Sequence, residues 1–577
     1  MLAADFGQLI PFDVREVVPG DVVSINASSS TRTVPLNSAS FTRFREHMDY
    51  YFVPYRLLWR FSDAALVKVP NNNSATSPNP VIGEQIKELP YFSSLGISRY
   101  LDKLDNFEMT PDQLACDDGG LDYAYTTKLL LEYLGYGERS ADIDNPEYDS
   151  PDCCAFRALA YQKIYADYYR NDQWEPLVPY AYNCDYITPE SNSKELQLYT
   201  PALSPEMSRI NYTPLIMRYA NYPKDIITGV LPSSQYGGAV YVPVDSRMVT
   251  DISKAASVPE LKLMLQTDNQ LSHPLGVSHG AMVTDTVNID TVSADIADMD
   301  SIPVKSIYNR FNVLALRQAQ ALQKYREITE CHKLDYKHQI KAHFDVNVSD
   351  DRSDSCKYLC GNVSNMDLTP VTNTTFTQNE DPIIKGNMTC SNGCSLNNFN
   401  VREHGVIMGI YYAEPILDYG DAIAPTLLNV DTESVFQPEF DKLGFEAVSA
   451  YAVSSPRYAS EYIDNNGSPT IGYLPRYWQY KIPQDRVQNS ADAAFPSWTS
   501  RVTLEDLNLT MQDDTGVSGY TMSWRTFKVC PFHVNGVFTA QAPYPSHVIS
   551  TYKPRILLNF SNNCVMVRPM DATGLPY

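Results

Sequence analysis

Val17-Val18-Pro19-Gly20-Asp21-Val22-Val23-Ser24-Ile25 reads as strand, tight turn, strand. Proline presets one backbone dihedral and glycine supplies the freedom a turn needs, so Pro19-Gly20-Asp21 punctuates two apolar runs. Further on, the aromatic run Tyr50, Tyr51 and Phe52 suits a pleated, buried surface, and residues 1–60 as a whole read as β structure. The far end of the chain repeats the pattern. From residue 400 onward the short apolar runs Gly405 to Tyr412, Gly472 to Tyr480 and Ile556 to Val567 alternate with Gly, Pro and Asn, as strands with long connections do. No repeat with a period of roughly 20 to 50 residues is visible, which argues against a solenoid or propeller.

Two segments between these ends are predicted as helices. Phe156 to Arg170 places apolar and aromatic residues at helical spacing. Phe311, Leu314, Ala315, Ala321, Leu322, Tyr325 and Ile328 form one stripe through a segment without Gly or Pro, and such stripes are packing faces. Asn71 to Pro80 is loop by composition. Residues 97–150 are expected to form an acidic surface insertion, since thirteen Asp and Glu between 101 and 150 face only Lys103, Lys128 and Arg139. Within it Asp117 and Asp118 are neighbours, but adjacency alone does not make an acid–base pair or a cation site. A second insertion is expected over 246–304, where eight acids between 251 and 300 oppose Lys254 and Lys262.

The 577 residues suffice for a sizeable core, and 44% hydrophobic with 20% charged residues is an ordinary globular balance. The 40 Tyr and 39 Pro fit short strands joined by shaped, half-dry loops. A net charge of −23 argues against a surface that binds nucleic acid all over, so the distribution of charge matters more than its sum. No run reaches the roughly 18 to 20 apolar residues of a membrane span, and Met1 to Ile10 lacks a basic stretch followed by an apolar one. The chain is therefore expected to be soluble and unexported, which makes Asn-x-Ser/Thr triplets such as those at Asn211 and Asn508 chance occurrences. Eleven cysteines in such a chain favour free thiols. Cys356, Cys360, Cys390 and Cys394 form two C-x3-C pairs, a spacing looser than the usual zinc knuckle.

The common devices for binding a triphosphate, a dinucleotide or a catalytic metal, and the nucleophile elbow, are all missing. His332, His338 and His343 crowd one region without an acidic partner at fixed spacing, so no catalytic or metal residue is assigned. One electrostatic feature stands out. From Thr515 to Met570 there is no Asp or Glu, while Arg525, Lys528, Lys553, Arg555 and Arg568 interleave with Trp524, Phe527, Phe532, Phe538, Tyr544, Tyr552 and Phe560. Cations and aromatics without carboxylates suit phosphates and unstacked bases, and these five are the candidate DNA-binding residues. The competing reading is that these strands lie in the core and their cations pair with acids elsewhere.

Ordered blocks along the chain then resemble a known family: LIPFDVREVVPGD (9–21), DYYFVPYRLLW (49–59), FRALAYQKIYADYYRNDQW (156–174), DIITGVLPSSQYGGAV (225–240), LALRQAQALQKY and IKAHF within 314–344, EHGVIMGI (403–410), FQPEFDKLGFEAV (436–448), GYLPRYWQYK (472–481) and VRPM (567–570). Together they resemble the gokushovirus-type major capsid proteins of the Microviridae. The resemblance implies a mainly β fold, an eight-stranded antiparallel jelly roll of the viral capsid type with long loop insertions containing some helices. It further implies that residues 1–577 form one such body, and that sixty copies build a T=1 icosahedral shell around circular single-stranded DNA. The implied partners are other copies of the chain, the genome, a small basic DNA-binding protein, an internal scaffolding protein, a DNA pilot protein and the bacterial host surface. No cofactor is implied. Assembly is expected in the host cytoplasm, and the 246–304 insertion, placed by resemblance outward near the threefold axis, makes Asp285, Asp290, Asp295, Asp298 and Asp300 the candidate host contacts. The enlarged 97–150 segment and the cysteines depart from the family pattern and leave genus and host open. On residues alone, a β-rich adhesin or carbohydrate-binding protein, or a hydrolase with dispersed carboxylates, would share the acidic surface and the missing motifs.

Overall fold

The structure is a computed structural model that describes residues 1–36, 42–67, 88–105, 123–138, 151–187, 195–196, 198, 213–225, 228–237, 263–267, 270–278, 281–286, 289–295, 313–334, 336–348, 354–372, 384–417, 419–420, 423–432, 434–441, 443–452, 470–483, 486–487, 510–511, 520–521, 524–529, 531–534, 537–538 and 554–570. It divides into two compact units, one built from Met1–Tyr236 with Ile328–Tyr577 and the other from Gly237–Glu327.

The larger unit is built on two antiparallel sheets. Their strands in chain order are β1 (Leu2–Ala4), β2 (Ile10–Val17), β3 (Val22–Thr33), β4 (Phe44–Pro54), β5 (Lys357–Asn365), β6 (Asp367–Thr372), β7 (Ile384–Asn400), β8 (Gly405–Pro415) and β9 (Ile556–Val567). The first sheet has the order β1-β9-β3-β7-β6 and the second β5-β4-β8-β2. The Pro19-Gly20-Asp21 turn carries the chain from the second sheet to the first. Gly20 adopts φ +93°, a region closed to most side chains, and its N–H donates to Val401 O at 2.9 Å. Asp21 closes the turn, its carboxylate accepting from Val18 N at 3.0 Å.

Side chains alternate across β3, with Val23, Ile25, Ala27, Ser29, Thr31 and Thr33 buried and their neighbours turned outward. Val23, Ile25 and Ala27 meet Met48, Tyr50 and Phe52 of β4 and Ile407 of β8 in the space between the sheets. Phe12 enters this space through a β-bulge, for the pairing of β2 with β8 passes from Asp13 to Pro11 and leaves Phe12 unopposed. Its ring stacks on Phe560 at 4.4 Å and meets Tyr50 edge-on at 5.3 Å. The ring occupies the room left by Gly409, where a Cβ would lie 2.7 Å from it.

The second sheet is buried on its other face too. Tyr51, Val53, Val406, Met408 and Ile410 pack against three helices, α1 (Ser94–Asp105), α2 (Tyr123–Leu134) and α3 (Phe156–Ile164). α3 is buried almost all round, and its small Ala158 and Ala160 face a crowded surface. Its one buried amide is satisfied, since Gln162 donates to Pro214 O and Ile216 O and accepts from Arg218 Nε at 2.7 Å.

The described parts of 97–150 differ from the expected solvated surface. Ile97, Tyr100, Leu101 and Leu104 of α1 and Leu130, Leu131 and Leu134 of α2 are core residues, because counting acids along the chain overlooks an apolar stripe at helical spacing. Asp117 and Asp118 lie outside the described residues, as does Asn71 to Pro80. In the smaller unit, Leu263–Thr267, Gln270–Ser278, Ala281–Thr286 and Ile289–Asp295 form a four-stranded antiparallel sheet with sequential neighbours. The long helix predicted near 311–328 runs from Val313 to Cys331.

Gly409→Ala is expected to destabilise the fold by roughly 1 to 3 kcal/mol, the usual cost of overpacking, because Phe12 sits between Phe560 and Tyr50 with nowhere to retreat. The urea midpoint should fall with an unchanged slope. An unaltered midpoint would show that the bulge accommodates a methyl group.

Candidate nucleic-acid face

Among the described residues, Lys528, Arg555 and Arg568 of the acid-free C-terminal stretch each pair with a separate carboxylate. Lys528 follows a short 3-10 turn, Trp524–Phe527, and is 1% exposed. Its ammonium pairs with Glu175 Oε2 at 3.1 Å and lies 4.7 Å from the centre of the Tyr165 ring, while Tyr165 donates its hydroxyl to Glu175 Oε1. Burial pulls the Lys528 ammonium below its usual pKa, with Glu175 opposing that shift. As a phosphate contact Lys528 is corrected: its charge is enclosed and matched inside the protomer.

Arg555 is mostly buried, donating to Asp5 Oδ1 at 3.1 Å and to Pro531 O. Arg568 holds the enclosed Asp21 at 3.2 Å and donates to Glu16 O at 2.6 Å, with about a third of its side chain left in solvent at 36% exposure. It therefore ties the end of β9 to the Pro-Gly-Asp turn. Arg525 belongs to the 3-10 turn, with its side chain outside the described residues, where Lys553 also lies. Of the candidate host contacts, Asp285, Asp290 and Asp295 sit on the strands of the smaller unit, and Asp298 and Asp300 lie outside the described residues.

The same acid-free stretch supplies a different surface. β3, β7 and β9 contain no Asp or Glu, although the chain holds 68 of them. Their register places outward residues in rows across the first sheet: Asn559, Ser30 and Ser391, then Ser561, Ser28 and Gly393, then Asn563, Asn26 and Ser395. Ser28, Ser30, Ser391, Ser395, Asn26, Asn559, Ser561 and Asn563 are exposed or half-exposed, and Arg32 continues the β3 row. The result is a grid of hydroxyls and amides that both donate and accept, flanked by exposed Leu557 and Val565 and by Arg32, and free of carboxylates on its central strands, with Asp367 of the edge strand β6 exposed in the Arg32 row. Sequence reading missed it because Ser and Asn runs look like loop; the alternation of Ser and Asn with Ile, Ala, Cys and Leu was the available signal.

Among the described residues the remaining titratable groups are engaged in local pairs. A cleft of about 580 Å³ on the helical side is lined by Arg45, His47, Asp49, Tyr169 and Glu414, among others. There His47 pairs with Glu414 at 2.9 Å and stacks on Tyr412, and the carboxyl of Asp49, raised by burial, accepts from Tyr358 and Tyr169. His332 and His343 bond locally, to Ile328 O and Thr329 Oγ1. The four cysteines of the C-x3-C pairs do not converge, and among the described residues no group of three or more His, Cys, Asp and Glu is arranged to hold a metal.

Residues 1–87 and 125–506 match the family described as Capsid protein (F protein). The chain belongs to this capsid protein family. It is 21% identical over 592 aligned positions to Capsid protein VP1 of Chlamydia phage 1, covering 92% of this chain and 91% of that protein. It is 22% identical to Capsid protein VP1 of Bdellovibrio phage phiMH2K, covering 85% and 80%. The chain is thus a major capsid protein of the Microviridae, a structural component of the virion and not an enzyme.

Two predictions concern its buried charges. Lys528→Met leaves Glu175 unpaired and should cost roughly 3 to 5 kcal/mol, the usual penalty for breaking a buried pair. Thermal unfolding measures it, and a stable variant whose only defect was in DNA retention would restore Lys528 to the phosphate-binding set. Burial raises the Asp5 carboxyl to about 6 despite Arg555. The folded state therefore holds this proton more tightly than the unfolded state does. The resulting stability is complete below about pH 4, declines as pH rises and is lost above about 6, a change on the order of 3 kcal/mol. Asp5→Asn should flatten that part of the stability–pH curve, and an unchanged slope would rule out Asp5 as its source.

Proposed function

We propose that sixty copies of this chain close a T=1 icosahedral shell around a circular single-stranded DNA genome, with the hydroxyl and amide grid of the first sheet turned toward that genome. The observation that carries this reading is the absence of carboxylates from β3, β7 and β9 in a chain of net charge −23. Sixty copies sum to about −1,400, so a shell with evenly spread charge would repel its contents. A surface whose central strands lack acids lessens that repulsion, and neutral donors contact phosphate oxygens and bases without reading sequence. Arg32, the exposed part of Arg568, Arg525 and Lys553 would add charge, and Arg555 less because Asp5 engages it. Much of the neutralisation would fall to a small basic DNA-binding protein packaged with the genome.

Setting aside the three-residue β1, each sheet has four strands, which supports reading β2–β9 as an eight-stranded jelly roll. The acidic 246–304 segment, with Asp285, Asp290, Asp295, Asp298 and Asp300, is assigned to contact with the bacterial host surface, because acids are poorly suited to packaged phosphate. Assembly in the host cytoplasm would involve an internal scaffolding protein and a DNA pilot protein.

The test is a triple variant, Ser28→Asp with Ser30→Asp and Ser561→Asp. On this reading, electron microscopy should show isometric shells of parental size, and their DNA content should fall several-fold. Shells that retain DNA through a salt wash as the parent does would remove the grid from the genome side. Loss of assembly with the protein still folded would overturn the reading too, by making the grid a contact between copies.

A further inference from the structure

β5 and β7 belong to different sheets, yet they lie against each other along one edge of the sandwich. Their side chains bridge the gap in steps of opposite direction. Asn362 Nδ2 donates to Asn392 Oδ1 at 2.8 Å, Asn392 Nδ2 donates back to Asn362 O at 3.2 Å, and Cys390 Sγ reaches Asn365 O at 3.3 Å. The next step of this ladder is Cys360 against Cys394, whose thiols hydrogen-bond to one another.

A second β-bulge creates that meeting. In the pairing of β5 with β4, Tyr358 opposes Tyr51 and Cys360 opposes Tyr50, so Leu359 is the extra residue. Strict alternation would put Cys360 on the face of Tyr358 and Tyr51; the bulge turns it to the face of Tyr50, inside the sandwich. Cys394 opposes Ala27 on β3 and points into the same cluster. The other thiols nearby have other neighbours: Cys356 is buried beside Lys163 and Asp167, Cys390 bonds to Glu46, and Cys564 stands on β9 opposite Ile25, beside Arg15 and Asp13.

We propose that Cys360 and Cys394 are a disulfide-forming pair that links the two sheets covalently once the particle meets an oxidising environment. The bond from Cys394 stabilises a thiolate on Cys360 and lowers its pKa, and Cys360 is the more exposed of the two, so it acts first. Its thiolate attacks a low-molecular-weight disulfide such as oxidised glutathione, forming a mixed disulfide and expelling one glutathione thiolate. Cys394 then gives its proton to a departing thiolate and attacks the Cys360 sulfur, releasing the second glutathione. Two protein thiols are oxidised and one disulfide is reduced to two thiols. The cross-link pins the edge strand β5 to β7, alongside the side-chain hydrogen bonds of the ladder and the Lys357 ammonium over the Phe399 ring.

The experiment treats the full-length chain with oxidised glutathione, blocks remaining thiols and maps the peptides by mass spectrometry, alongside thermal unfolding. The expected result is one peptide pair joined through Cys360 and Cys394, lighter by two hydrogens, with an unfolding temperature several degrees higher that falls back on reduction. Cys390→Ser should keep both effects, whereas Cys360→Ser should lose them. Glutathione retained on Cys360 without resolution, or both cysteines recovered as blocked thiols in the folded parent chain, would overturn the proposal whether or not the variants fold.

Discussion

The central strands β4 and β8 of the second sheet are covered on both faces, and much of the molecule follows from that. β8 is buried along nearly its whole length, Gly405–Pro415, so both sides of the strand need apolar cover. One side receives α1, α2 and α3. The other receives the first sheet, which is then dry on one face only and alternates accordingly. Among the described residues this leaves the outer face of the first sheet open to other molecules, and its central strands β9, β3 and β7 carry no acid.

Sealing a sheet this way encloses polar groups that must be matched. Glu46 lies inside the sandwich at 0% exposure and accepts from Ser29 and Tyr411. Asp21 is enclosed by Val18 and Arg568, and Glu175 by Tyr165 and Lys528. Each of these carboxylates joins segments far apart in the chain, and Asp21 with Arg568 couples the C-terminal strand to the N-terminal turn. Such groups add little net stability, but leaving one unmatched is costly, so they specify one arrangement of strands over others.

This also explains which features were legible in the sequence. The Pro-Gly-Asp turn, the aromatic run of β4, the apolar runs of β8 and β9 and the helix from Phe156 are local patterns, and they read correctly as elements. Strand partners were not legible. β3 pairs with β7 and β9, from the middle and the end of the chain, and no local pattern encodes such a choice. Lys528 was misread for the same reason. Lys528, Arg555 and Arg568 stand in a stretch without acids, yet their partners Glu175, Asp5 and Asp21 come from the first third of the chain. The same stretch also contains the uncharged strand β9.

An uncharged grid suits the proposed shell better than a cationic patch would. On a chain with a large acidic excess, exposed lysines and arginines would also attract the acidic surfaces of other copies before any genome is present. Hydroxyls and amides exert no such long-range pull. Each exposed group contributes roughly 0.5 to 1.5 kcal/mol at best when it exchanges water for a phosphate or base. The interaction therefore becomes appreciable only when many copies engage one polymer at once, and it is less sensitive to salt than an ionic contact because fewer counterions are released. Contacts that are negligible singly and effective in an array would, on the proposed reading, separate a protomer free in solution from one in a closed shell.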